Sequence, residues 1–349
     1  SMSGEGNLRV EENLGEGYVR LRVSEAERRQ AKHDIQHVED IVIEMLRNAR
    51  DAGADKVYLA TTKEDGVRTL VFLDNGSGVP QDMQERIFDA RVTSKLESMK
   101  MDRWGVHGRG MALFSIKQNT DEARVVASDV DLGSVFKVSV ATDRLGERAD
   151  QSSWPQAVKD EDGHYVCARG PHNIIRAACE FALEELRACD VYLGSPSEIA
   201  ATLHAQASSR LDASRLLFID DEAELPVVDR LGLASDAEDF IRICSGLGLE
   251  MSERTAHRIL AGQIKPVRGV TARLLRERDS SSHAPAPVDL AKDRRGLRIA
   301  KDDMAQFSRA VERDFNDLAA RYYLNLCGDP KIRVSRDRIT VTFDLAKEE

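Results

Sequence analysis

The chain has 349 residues, 42% of them hydrophobic and 32% charged. That is enough apolar material for packed cores, so wholesale disorder is excluded and two or three domains are expected. Fifty Lys and Arg against 60 Asp and Glu leave a net charge of −10, which excludes a uniformly basic nucleic-acid coat but not a local basic patch.

No run approaches the ~18 apolar residues of a membrane span. The acidic opening SMSGEGNLRVEENLGEG lacks the apolar stretch of a secretory signal. Five cysteines, at 167, 179, 189, 244 and 327, fall into no metal-binding spacing. The expectation is a cytoplasmic protein without structural zinc or membrane contact.

In chain order, residues 1–17, rich in Gly and Glu, predict a flexible N-terminus. Residues 24–52 predict one long helix, with Ser24 as cap and Gly53 as stop. Its apolar stripe is Val38, Ile41, Val42, Met45, Leu46, Ala49 and Ala52. Strands at 57–62 and 69–74 flank Asp65-Gly66, a hairpin signal. A charged, glycine-bearing region covers 75–110, and a short apolar helix follows near 111–118. Strands at 123–129 and 134–143 give an α/β pattern with adjacent antiparallel strands. Residues 144–163 are polar and linker-like. Helices then dominate, at about 171–189, 196–208, 236–247, 252–261, 267–278 and 302–320. SSSHAPAPVD at 280–289 is a Ser/Pro linker, and a strand pair, IRVSR and ITVTFDL, closes the chain.

Three constellations carry chemistry. Glu44, Asn48 and Asp51 lie four and seven residues apart, on one face of the long helix and off its apolar stripe. DNGSGVP at 74–80 directly follows a strand, where Asp74 can point a carboxylate into a pocket while Gly76 and Gly78 allow close approach. GVHGRGMALFSI at 105–116 sets Gly105, Gly108 and Gly110 before a helix start, a possible phosphate cradle of backbone N–H groups. Taken singly, these are equally a solvated helix face, an Asn-Gly turn and a flexible loop. Their order, together with Thr93-Ser94-Lys95 and with Gly133-Ser134 entering a strand, is more specific than any one of them.

In that order the segments resemble the GHKL ATPases, the superfamily of gyrase, the heat-shock chaperone, histidine kinases and MutL. EMLRNARDAGADKVYL resembles the first box and DNGSGVP the second. VTSKL with GVHGRGMALFSI resembles the lid and third box of MutL and of the type VI topoisomerase B subunit. GSVFKV resembles the final Gly-Thr strand, with serine for threonine. The resemblance implies a Bergerat-type α/β sandwich, a mixed sheet with helices on one face, followed by a mostly helical C-terminal region.

It also implies ATP and magnesium as cofactors. Asn48 would hold the magnesium ion, Asp74 would accept from the adenine amino group, and Gly76 and Gly78 would line the adenine pocket. Ser134 would support Asp74 through a water. Asp51, Thr93, Ser94, Lys95, Gly105, His107, Gly108, Arg109, Gly110 and Met111 complete the implied ATP site. Glu44 would activate the attacking water, which implies a slow magnesium-dependent ATPase; histidine kinases typically carry asparagine at that position. The lysine that reaches the γ-phosphate from a second domain in MutL and the topoisomerases has no clear counterpart. Lys265 and Lys331 are candidates, and no complete transducer domain is evident after residue 145.

Residues 239–278 resemble helix-turn-helix segments, and they fall where a type VI topoisomerase B subunit carries its helix–two-turns–helix module. Between 253 and 298 there are eleven Lys/Arg and five Asp/Glu, a local excess of +6 that leaves −16 elsewhere. Such segregation suits a phosphate-facing patch. Arg254, Arg258, Lys265, Arg268 and Arg273 are the candidate duplex-DNA contacts; a basic helix pair packed on a partner is the alternative. The expected organisation is 1–17 flexible, 18–145 ATP-binding, 146–235 a helical or mixed extension, 236–279 helix-turn-helix-like, 280–296 linker and 297–349 a C-terminal helix with short strands. The expected function is a nucleotide-driven switch or clamp in DNA topology or repair, with an ATP-dependent homodimer or a partner protein possible. The alternatives are a chaperone-like or regulatory module that binds a protein, and a nucleotide-binding subunit of a larger complex.

Overall fold

The structure, a computed structural model, describes residues 10–90, 92–93, 100–102, 105–107, 110–186, 188–282, 299, 301–322, 324–334 and 338–347. The N-terminal stretch expected to be flexible contains a strand. β1 (Val10–Gly15) turns through Glu16 and Gly17, both at positive φ, into β2 (Tyr18–Leu21). β2 continues antiparallel to β5 (Val92–Thr93).

The expected long helix is two, α1 (Glu25–Asp34) and α2 (Val38–Asp51). Ser24 and Glu27 form a capping box on α1. Ile35 is buried with an extended backbone, and burying it interrupts the helix. The Asp40 carboxylate accepts from the Gln36 and His37 N–H groups, each at 2.9 Å, and restarts it. α2 ends in a Schellman turn: Gly53 has φ +78°, its N–H donates to Arg50 O (2.9 Å), and Ala54 N–H donates to Ala49 O (3.0 Å).

β3 (Lys56–Glu64) and β4 (Val67–Asp74) form the expected hairpin, with Asp65 and Gly66 both at positive φ. After them come β6 (Lys100–Asp102), β7 (Gly105–His107) and α3 (Ala112–Asn119). β8 (Glu122–Ser128) and β9 (Ser134–Ala141) then extend the sheet. Its fifth strand, β12 (Asp190–Gly194), pairs parallel to β3, so the order is β12-β3-β4-β9-β8 and the sheet is mixed.

Strand alternation divides the apolar residues between two cores. Val57, Leu59, Leu70, Phe72, Phe136 and Val138 face α2 and α4 (Ile174–Glu184). Tyr58, Ala60, Val71, Leu73 and Val135 face the other way. They are covered by α5 (Pro196–Arg210), α7 (Ala237–Gly246) and α8 (Glu253–Leu260). The expected helices lie on one face, and the C-terminal helical region closes the second.

The linker-like stretch 144–163 is tied down. The Gly146 carbonyl accepts from Val38 N–H (3.0 Å). Buried Glu39 accepts from Arg148 N–H (2.9 Å) and Gln151 Nε2 (2.7 Å). Fully buried Asn173 donates to the Asp150 and Ser153 carbonyls and caps α4. The rest of this stretch enters a hairpin, β10 (Gln156–Lys159) with β11 (Tyr165–Ala168). Residues 1–279 accordingly form one compact unit. The boundaries expected at 145 and 235 fall inside it, because both cores draw on residues from either side of them.

The remaining helices of this part of the chain are α6 (Ala213–Leu216) and α9 (Val270–Ser282). Residues 280–349 form a second unit. It holds α10 (Lys301–Ala319) and two strand pairs, β13 (Leu324–Leu326) with β16 (Leu345–Lys347) and β14 (Lys331–Val334) with β15 (Ile339–Thr342). No described helix is long and apolar enough to cross a membrane.

Candidate nucleotide site

Register carries the site. Asp74 at the end of β4 pairs with Ser134 at the start of β9, and Ser134 pairs in turn with Ser128 at the end of β8. Val57 of β3 lies on the other side of Asp74. The four residues form one row across four strands. By alternation the row faces α2, on the same side as Leu59 and Phe72. Asp74, Ser134 and Ser128 are all buried polar residues.

The loops at the ends of these strands interlock through glycine. Gly78 has φ +74°, and a Cβ there would lie 1.8 Å from the Asp129 carbonyl oxygen. Gly133 also has φ +74°, and its Cβ would lie 2.1 Å from the Asp74 carbonyl oxygen. No side chain fits either position. Asp131 N–H donates to Ser77 O (2.7 Å), and Ser77 N–H donates to Ala52 O at the end of α2 (2.8 Å). Asp74 Oδ1 accepts from Gly76 N–H (2.8 Å).

Asn75 of the DNG segment braces the turn after α2. Its Oδ1 accepts from Asp55 N–H (3.1 Å) and Lys56 N–H (3.0 Å), and its Nδ2 donates to Asp55 Oδ1 (2.6 Å). Asn75 and Ser128 were not among the expected site residues. Asn75 was legible as part of the Asp-Asn-Gly box, whereas a lone serine at a strand end carries no signal until its neighbours across the sheet are known.

On α2 the polar face is sunk into the fold rather than solvated. The Glu44 side chain is 22% exposed and that of Asp51 3%. Glu44 Oε1 accepts from Arg47 Nη1 at 2.8 Å, and the Arg47 side chain is itself only 4% exposed. Asn48 is half-buried. Asp51 is taken up by Arg50 Nε (3.1 Å), whose Nη1 donates to Glu185 at the end of α4 (3.1 Å). Burial opposes the charge on Arg50, but the two carboxylates outweigh it and raise its pKa. Asp51 thus helps lock the end of α2 to α4.

Of the expected lid, Thr93 ends β5, Gly105 and His107 belong to β7, Gly110 has φ +69°, and Met111 is the N-cap residue of α3. Ser94, Lys95, Gly108 and Arg109 lie outside the described residues.

The basic segment is anchored on the second sheet face. Ala256 and Ile259 of α8 are buried there, so Arg254, His257 and Arg258 face outward. With Glu253, Ala261 and Gln263 they line a concavity of about 440 Å³. α8 closes in a Schellman turn at Gly262, and the connection to α9 spans 261–269. That connection is longer than the roughly three- or four-residue turn of a helix-turn-helix. Lys265 and Arg268 are exposed. Arg273 is not: its guanidinium stacks 4.2 Å from the Trp154 ring and donates to Leu193 O (3.4 Å). Lys331, one candidate for the γ-phosphate, is ion-paired with Asp344 (2.5 Å).

Residues 35–128 match the family described as histidine kinase-, DNA gyrase B- and HSP90-like ATPase. The chain is also 28% identical over 136 residues to the DNA mismatch repair protein MutL of Staphylococcus aureus strains Newman, JH1 and N315. Each alignment covers 36% of this chain and 20% of the relative, so the chain spans about a fifth of the length of the curated relatives it matches. The N-terminal region carries an ATP-binding domain of GHKL ATPase type, distantly similar to that of MutL.

Proposed function

We propose that the chain binds ATP between α2 and the Asp74–Ser134–Ser128 row, hydrolyses it slowly, and uses the cycle as a conformational switch in a DNA transaction. The observation that carries the reading is the row itself: a buried carboxylate and two buried hydroxyls aligned beneath a helix bearing Glu44 and Asn48. Asp74 accepts from the adenine amino group, with Gly76 and Gly78 lining the pocket. The Asn48 carboxamide oxygen, a hard donor, would hold a magnesium ion, which would supply charge neutralisation at the phosphates.

Glu44 takes the proton of the water that attacks the γ-phosphorus while the bond to ADP breaks. The Arg47 ion pair fixes the direction of that carboxylate. Removing a general base commonly lowers turnover by ~10²–10⁴-fold without a matching loss of ground-state binding. Glu44→Ala is therefore expected to bind ATP and turn over at that reduced rate, while Asn48→Ala weakens magnesium-dependent binding. Wild-type turnover in Glu44→Ala removes the role of Glu44.

DNA contact is supported by the outward placement of Arg254, Arg258, Lys265 and Arg268 on an otherwise acidic protein. Each phosphate neutralised adds about −0.9 to the slope of log affinity against log salt. Reversing the four charges together should flatten that slope in duplex-binding titrations and leave ATP binding intact. If wild type shows no duplex binding at low salt, the patch is assigned to a protein partner instead.

A further inference from the structure

Ser128 holds three polar partners at hydrogen-bond distance, one of them the expected site residue Ser134. Its Oγ accepts from Val79 N–H (2.7 Å), lies 2.8 Å from the Gly133 carbonyl and lies 3.0 Å from Ser134 Oγ. A hydroxyl has one proton. A carbonyl only accepts, so the Ser128 proton goes to Gly133 O. The Ser128–Ser134 contact then has one possible donor, Ser134. Ser134 spends its only proton on Ser128 and presents lone pairs alone to the rest of the row. Beside it stands the Asp74 carboxylate, its cross-strand partner.

We infer that Ser128 is a specificity-determining positioning residue: by consuming the Ser134 proton it makes the base-facing end of the row acceptor-only, which selects an exocyclic amine over a carbonyl and so favours adenine over guanine. The inference rests on the ATP site proposed above and deepens it. Adenine presents an amino group where guanine presents a carbonyl oxygen. An acceptor-only floor in direct contact with the base satisfies the first and leaves the second against lone pairs. Without Ser128 the Ser134 hydroxyl rotates freely and can donate to guanine. Val79 N–H loses its acceptor as well, which is why a specificity readout is needed beside an affinity one.

The test is calorimetric binding of ATP and of GTP to the full chain, with wild type, Ser128→Ala, Ser128→Thr and Ser134→Ala. For Ser128→Ala the ATP affinity is expected to fall about tenfold, the scale of one buried hydrogen bond, while GTP affinity holds or rises, so that the ATP-over-GTP ratio narrows. Ser128→Thr, which keeps the hydroxyl, should restore the ratio. In a Ser134→Ala background, Ser128→Ala should no longer change the ratio, because the hydroxyl it controls is gone. Equal weakening of both nucleotides in Ser128→Ala, or an unchanged ratio, overturns the inference and makes Ser128 a loop brace. Should Ser128→Ala fail to fold, a shifted ratio in Ser134→Ala with a wild-type ratio in Ser128→Thr supports it, and an unshifted ratio in Ser134→Ala overturns it. Wild type that binds no ATP refutes the ATP site itself, a separate outcome.

Discussion

The two faces of the central sheet are made from alternate residues of the same strands and differ in where their polar residues fall. The face under α5, α7 and α8 is apolar where those helices cover it, through Tyr58, Ala60, Val71, Leu73 and Val135, and turns polar only further along, where Thr69 Oγ1 lies 3.2 Å from Ser139 Oγ. The face under α2 is apolar in its middle, with Leu59, Leu70, Phe72 and Phe136, and polar at both ends. At one end lies the Asp74–Ser134–Ser128 row. Near the other, Arg68, Glu147 and Lys63 close an ion-pair triad, with Glu147 Oε2 2.7 Å from Arg68 Nε and Oε1 2.9 Å from Lys63 Nζ. One face keeps its apolar surface under the covering helices, and the other gives up part of it to a buried polar row.

That contrast can be broken most forcefully from the apolar side. Phe240 of α7 is fully buried and meets His204 edge-on, with ring centroids 5.5 Å apart. Phe240→Ala should destabilise the chain by about 3–5 kcal/mol, as large-to-small core substitutions do, in denaturant titrations. The protein that remains folded should still bind ATP.

From the polar side the effect is smaller and of another kind. Asp74→Asn should weaken ATP binding by about 1–3 kcal/mol, because one acceptor becomes a donor in a buried pocket, with thermal stability close to wild type. Equal affinity in calorimetry would take Asp74 out of the base contact.

The triad end should respond to pH. Burial works to raise the Glu147 carboxyl pKa, but Arg68 and Lys63 outweigh burial and hold it below the ordinary range. A depressed carboxylate stabilises the fold above its unfolded pKa, and that contribution disappears as pH falls through the folded one. Glu147→Gln should therefore cost about 1–2 kcal/mol at neutral pH. Its deficit should shrink on acidification; a pH-independent deficit would contradict the pairing.

The mildest probe is thiol labelling. Burial pushes Cys189, on the site face, and Cys244, on the apolar face, up to about 12. Cys179 is also buried, whereas Cys327 is exposed and Cys167 half-buried. Native protein should label at Cys327 and more slowly at Cys167, the other three reacting only on unfolding.

What was legible in the sequence follows the range of the interactions. The Asp65-Gly66 hairpin, the α2 stripe and the glycine-bearing boxes are local chemistry, and each was readable from a few adjacent residues. The break between α1 and α2 was not, because it depends on burying Ile35 in a core assembled from distant segments. β12 was missed because DVYLG is too short to separate from the helices around it, and its partner β3 lies far away in sequence. The second sheet face was hidden for the same reason: Tyr58, Leu73 and Val135 alternate visibly, but nothing local says that α7 and α8 cover them. Asp51 and Arg273 were placed by type and position, and their pairing with Arg50 and Trp154 is tertiary.

Whether the row beneath α2 is an adenine-selective ATP site is tested most directly by a crystal structure of the chain with magnesium and a non-hydrolysable ATP analogue. The prediction is an adenine amino group within hydrogen-bond reach of Asp74 and phosphates beside Asn48 and Gly110. Nucleotide bound elsewhere, or a base turned away from Asp74, would contradict it.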